Sequence, residues 1–93
     1  MRPEYTEIKK LAGMLLEANI PFSTYYYLEG MQIRYFDKNG LQVCSVIEND
    51  VSYGNRADLL EIMGLCNSED SVEGYLTADT VFNRIQNHYA KNI

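Results

Sequence analysis

A chain of 93 residues with a formal charge of −5 has room for one hydrophobic core and none for a second domain. Its 46% hydrophobic, 12% aromatic and 23% charged residues match folded domains and exclude a natively disordered chain. No apolar run approaches the ~20 residues of a membrane-spanning helix. With one histidine, two cysteines and no Cys-x-x-Cys pair, a four-ligand Cys/His zinc site cannot form within the chain.

Pro3 suits the first turn of a helix, and Tyr5, Ile8, Leu11, Ala12, Leu15 and Ala18 recur at helical spacing. This helix should stop near Asn19, because Pro21 biases Ile20 away from helical geometry. Phe22 to Leu28 is aromatic and β-branched and predicts a strand, followed by a tight turn at Glu29-Gly30. Met31, Ile33 and Tyr35 alternate with Gln32, Arg34 and Phe36 in a second strand. Asp37-Lys38-Asn39-Gly40 is a hairpin signal, because Asn-Gly readily supplies positive φ. Leu41 to Ile47 follows as a third strand, with Leu41, Val43 and Ile47 sharing a face.

Asn49 to Asn55 is loop-like, Asp58 to Met63 predicts a short helix capped by Gly64, and Asn67 to Gly74 is polar and turn-rich. Thr77 caps a last helix whose apolar stripe is Ala78, Val81, Phe82, Ile85 and Tyr89, with Asp79 in its first turn. The expected fold is a single α+β domain over residues 1–93. It is a three-stranded antiparallel meander with helices on one face, in the order α-β-β-β-α-α.

Two surfaces are candidate binding sites. If Met31, Ile33 and Tyr35 point inward, the open sheet face carries Gln32, Arg34 and Phe36, joined by Ser23, Tyr25 and Tyr27 or by the opposite set of the first strand. Tyr25, Tyr27, Arg34 and Phe36 would then form an aromatic face with one cation, suited to a protein contact, a nucleotide or a stacked base. The second surface is acidic. Glu48, Asp50, Asp58, Glu61, Glu69, Asp70 and Glu73, against Arg56 alone, give the segment from 48 to 73 a charge of −6 and leave +1 on the rest. Such a segment repels phosphate backbones and argues against direct nucleic-acid binding, while it fits docking on a basic surface of a host protein. The element order is similar to that of double-stranded RNA-binding domains. Their last helix opens with lysines, however, and here that turn is Thr77-Ala78-Asp79-Thr80.

No catalytic centre is expected. His88 lacks a nucleophile or orienting partner at motif spacing, Cys44 reads as a small buried hydrophobe, and no base near Cys66 would activate its thiol. The six glycines stand singly, so no phosphate-cradling loop is present, and the acids do not follow the order of an EF-hand loop. The reading is therefore a non-enzymatic protein without cofactor or metal. The N-terminal Met-Arg-Pro-Glu-Tyr has no apolar signal segment, so the thiols are expected reduced and the chain cytoplasmic.

Gln32-Ile33-Arg34-Tyr35-Phe36, Ser45-Val46-Ile47, Ser52-Tyr53-Gly54, Leu59-Leu60-Glu61-Ile62-Met63-Gly64 and Val72-Glu73-Gly74-Tyr75-Leu76-Thr77-Ala78-Asp79 together resemble short uncharacterised proteins of phages and mobile elements of gut Firmicutes. That resemblance implies a context of accessory proteins that antagonise host defences, the anti-CRISPR proteins among them. The expectation is a protein that binds and inhibits a host enzyme such as a CRISPR nuclease through its acidic surface. The alternatives are a small nucleotide- or nucleic-acid-binding module using the aromatic face, or a homo-oligomeric accessory protein.

Overall fold

The computed structural model describes residues 5–27, 30–48, 58–66 and 71–91, and they form an α+β fold. Helix α1 (Thr6–Glu17) is followed by β1 (Phe22–Tyr27), β2 (Gly30–Phe36), β3 (Gln42–Glu48), β4 (Leu60–Met63) and β5 (Val72–Leu76), and then by helix α2 (Ala78–Lys91). The five strands form one antiparallel sheet in chain order, β1-β2-β3-β4-β5. Among the described residues no helix is long and apolar enough to cross a membrane.

Helix α1 buries Ile8, Leu11 and Leu15, the stripe that the spacing predicts. It ends in a Schellman turn: Ile20 N–H reaches Leu15 O at 3.1 Å and Asn19 N–H reaches Leu16 O at 3.2 Å, with Asn19 at φ 57. The motif brings Ile20 into the core beside Leu15. Helix α2 starts at Thr77, whose Oγ1 accepts from Thr80 N–H at 3.3 Å, and buries Ala78, Val81 and Ile85.

Register sets which side chains the helices cover. Ile33 lies opposite Val46 and Val46 opposite Ile62, while Tyr35 lies opposite Cys44 and Met31 opposite Glu48. All of these are buried, together with Leu60 on β4 and Leu76 on β5, so both helices pack on this one face. Burying each such Leu, Ile or Val contributes roughly 1.5–3 kcal/mol. The β2–β3 hairpin is closed by Asp37, whose Oδ1 accepts from Asn39 N–H at 2.8 Å and Leu41 N–H at 2.9 Å, with Gly40 at φ 81.

Two of the predicted elements are different. The expected three-stranded meander has five strands, and the order α-β-β-β-α-α is instead α-β-β-β-β-β-α. Residues 60–63 are a strand and not a helix, because Leu60 and Ile62 alternate at period two onto a core that β3 has already opened. Residues 72–76 pair with β4 despite their polar neighbours, and the register shift between Leu60 and Ile62 accommodates Tyr75 at φ 59. The loop at 49–55 and the first half of the polar stretch at 67–74 lie outside the described residues.

Gly64 turns the chain after β4 rather than capping a helix. It sits at φ 95, and a Cβ there would lie 2.6 Å from Val43 O and 3.0 Å from Cys44 Cβ. Both the left-handed backbone and the close approach of β3 require glycine. Gly64→Ala is expected to destabilise the fold by roughly 1–3 kcal/mol, read as a lower urea midpoint. An unchanged midpoint would refute this packing of β4 on β3.

Candidate functional site

The acidic segment does not form the continuous surface that its composition suggests. Glu48 is fully buried and Glu61 is 8% exposed, so neither belongs to a docking surface. Glu48 points inward because it shares the helix-facing parity of Cys44 and Val46 at the end of β3. Asp58 is half-buried and serves the start of α1: its carboxylate accepts from Glu7 N–H at 3.3 Å and from the Thr6 hydroxyl. Glu73 pairs with Arg84 of α2 through two hydrogen bonds, at 3.0 Å and 2.9 Å, and the same guanidinium donates to Leu65 O. The Glu73 hydrogen bonds outweigh desolvation and raise the Arg84 pKa. Asp50, Glu69 and Asp70 lie outside the described residues.

Glu48 Oε1 accepts from Ile8 N–H at 3.2 Å, and Oε2 is buried with no donor among the described residues. The side chain meets the carboxylate of Asp58 instead. Burial first, and then this hydrogen bond to Asp58, push the Glu48 pKa up to about 8. Burial would raise Asp58 too, but hydrogen bonds from Glu48, Thr6 and Glu7 prevail and hold it below its ordinary range. Glu48 therefore carries the shared proton at neutral pH, and Asp58 carries the charge.

A second polar cluster lies under α2. The buried Tyr35 hydroxyl is 2.8 Å from His88 Nδ1, with the two rings edge to face and Tyr89 against Tyr35. Burial pushes the Tyr35 hydroxyl up to about 12, so it stays protonated. Burial also raises the Cys44 thiol to about 12, which makes it a poor nucleophile. Both cysteines are free, and Cys66 Sγ donates weakly to Ile62 O and Gly64 O. Among the described residues no three His, Cys, Asp or Glu side chains converge to hold a metal ion.

The aromatic face has a definite geometry. Phe22 pairs with Tyr35 and Thr24 with Ile33, so Ser23 and Tyr25 take the opposite parity, alongside Gln32 and Arg34. Tyr27 holds the same register parity as Tyr25. The Arg34 guanidinium carbon stands 4.2 Å from the Tyr25 ring centroid, and Nη2 donates to Gln32 Oε1 at 3.5 Å. Tyr25, Tyr26, Gln32 and Arg34 line a shallow hollow of 330 Å³. Phe36 is half-buried at the far end of β2, beyond a register shift, and does not line it. On the same face Ser45 and Glu61 are buried, while Met63 on β4 is half exposed.

Compared with known protein families, curated protein sequences and solved structures, the chain matches none. The site therefore rests on its own geometry. Gln32, which strand alternation places on the open face, joins Tyr25 and Arg34 there, as does Tyr26. Tyr26 points toward the helix layer by parity, yet at 84% exposed it overhangs the sheet edge and lines the hollow.

The Glu48 proton makes stability depend on pH. Below about 4.5 both the folded and unfolded chains hold it; between 4.5 and about 8 only the folded chain does, so this contribution is lost as pH rises through that window. Asp58 acts oppositely, stabilising above its ordinary range and weakening as pH falls below it. Glu48→Gln keeps an acceptor for Ile8 and an N–H donor for Asp58. It should flatten the decline between pH 5 and 8 and raise stability at pH 8 by roughly 2–4 kcal/mol, measured by denaturant unfolding. A wild-type stability that is level across this window would contradict the assignment.

Proposed function

We propose that this chain is a non-enzymatic binding protein that engages a partner protein through the β1–β2 side of its sheet. In the context that the sequence resemblance implies, it is an accessory protein of a phage or mobile element that occupies a surface of a host defence protein such as a CRISPR nuclease. The observation that carries this reading is the exposed Tyr25–Arg34 stack beside Tyr26 and Gln32, on a part of the sheet that neither helix covers. Tyrosine and arginine are the side chains that most often dominate binding energy, because each offers a large rigid area together with hydrogen-bond donors.

The acidic segment supports the reading less. Of its seven acids, Glu48 and Glu61 are buried, and Asp58 and Glu73 are engaged in holding helices. Charge docking would rest on Asp50, Glu69 and Asp70. A second reading, a nucleotide ligand, draws on the same stack, since a base fits against a ring or guanidinium plane and a phosphate fits the Arg34 edge. Calorimetry against a panel of nucleotides tests it, and a flat response would retire it.

The main reading is tested by plasmid interference in a bacterium with an active CRISPR nuclease that expresses the chain. Wild type should relieve interference, the Tyr25→Ala/Arg34→Glu double variant should restore it, and Glu69→Lys/Asp70→Lys should behave as wild type. Full activity of the Tyr25→Ala/Arg34→Glu protein would assign function to another surface, and activity lost only in the lysine variants would return it to the acids.

A further inference from the structure

Strand β1 is an edge strand, and its free side is fully formed for pairing. Phe36 N–H donates to Pro21 O at 3.2 Å, which makes Pro21 and Phe36 a hydrogen-bonded pair of the antiparallel ladder. Bonded and non-bonded pairs alternate, so Ser23, Tyr25 and Tyr27 direct their backbone groups to β2. Phe22, Thr24 and Tyr26 direct theirs outward, three N–H and three C=O groups without a backbone partner among the described residues. The strand has no charge, no proline and no bulge to discourage pairing. The opposite edge, β5, is interrupted by its register shift and by the left-handed Tyr75.

A hollow lies on each side of this edge. On the open face is the one formed by Tyr25, Gln32 and Arg34. On the helix face a groove of 420 Å³ runs between α1 and β1, walled by Ala12, Gly13 and Leu16 and floored by Phe22, Thr24 and Met31. Leu16 is 71% exposed there, and Tyr26 lines both hollows. A strand added beside β1 sends alternate side chains to opposite faces, one set into each hollow. The helix-side groove is apolar. Among the described residues, the charged side chains lining the two hollows are Lys9 in the groove and Arg34 in the open hollow, and no acid lines either.

We infer that β1 captures an extended segment of the partner protein by strand addition, the segment alternating apolar side chains toward α1 with acidic ones toward Arg34. This deepens the proposed function and rests on it for the Tyr25–Arg34 face, while adding the β1 backbone as the principal contact. The cations favour an acidic partner segment over a second copy of this chain, because a two-fold pairing of β1 with itself would bring Lys9 and Arg34 toward their own kind.

The test is selection of a display library of random short peptides on the immobilised full chain, followed by anisotropy with the synthetic peptides selected. Selected peptides should alternate apolar and acidic residues at period two. Their affinity should fall by about tenfold or more with Thr24→Pro, which removes an outward N–H and no ladder bond, and equally on N-methylation of alternate peptide amides, which leaves the protein untouched. Leu16→Glu should weaken binding through the apolar positions alone.

Peptides lost with Arg34→Glu but indifferent to Thr24→Pro and N-methylation would overturn strand addition and leave the face reading standing. Absence of any selected peptide, or binding indifferent to every change, would overturn strand addition as well. A dimer in light scattering that Thr24→Pro dissolves would give the edge to a second copy, and would likewise overturn the inference.

Discussion

Helix α1 begins without a cap of its own. Tyr5 stands at its N-cap with φ 54 and makes no side-chain cap bond, so the first N–H groups of the helix depend on acceptors from elsewhere. They come from residues 40 and 51 positions away: Glu48 at the end of β3 takes Ile8 N–H, and Asp58 just before β4 takes Glu7 N–H. Glu7 in turn reaches across to accept from Ala78 N–H, at the start of α2, at 3.1 Å. One carboxyl set thus ties both helix starts to the middle of the sheet, and the macrodipoles favour negative charge at both places. Because helix caps are ordinarily local, this arrangement makes the start of α1 conditional on the sheet, and α2, which has its own cap in Thr77, gains a further acceptor from α1.

That constraint explains what became of the acidity. A run of acids after the third strand looks like a charged surface when only composition is considered. In the folded chain part of it is internal structure, with Glu48 protonated, Asp58 at the helix start and Glu73 on Arg84. Lys10 and Asp79 form an exposed pair between the helices that adds little by comparison. At the other end of the sheet, β1 leaves Tyr25 and Tyr26 exposed. The two helices lie over the strands that supply the core, and the outermost strand keeps Tyr25 and Tyr26 accessible on opposite faces.

Much of this was legible in the residues, and the exceptions have physical reasons. The apolar stripes of α1 and α2, the Asp37–Gly40 turn and the inward set Met31, Ile33 and Tyr35 all follow from local periodicity, which tertiary packing reinforces. The β4 segment was not legible, because Leu60-Glu61-Ile62-Met63 is too short for its period to separate strand from helix, and the partner that decides the matter, β3, is distant in sequence. Strand β5 was hidden by Glu73 and Gly74, residues that depress strand propensity but are tolerated at an irregular edge. The parity of β1 was within reach. A two-residue connection to β2, wherever it falls, puts odd residues of β1 beside even residues of β2, so Tyr25 had to share a face with Gln32 and Arg34. Long-range capping by Glu48 and Asp58 left no signal at all, since no local motif records it.

The contrast between the two sheet edges ties these points together. A domain of this size retains few means to stop its sheet from extending, and β5 uses several: an irregular ladder, a left-handed residue, and a salt bridge that fastens Glu73 to α2. Strand β1 uses none of them, although a single lysine at Thr24 would discourage pairing at little cost in stability. Six uncharged residues rich in tyrosine would be a liability in a chain that had no use for the edge. The net negative charge of the chain repels further copies of itself, while the edge is neutral and the charged side chains lining its hollows among the described residues are the cations Lys9 and Arg34. On this account acidity and aromatic edge are complementary: the first limits self-association, and the second is thereby left available for recognition.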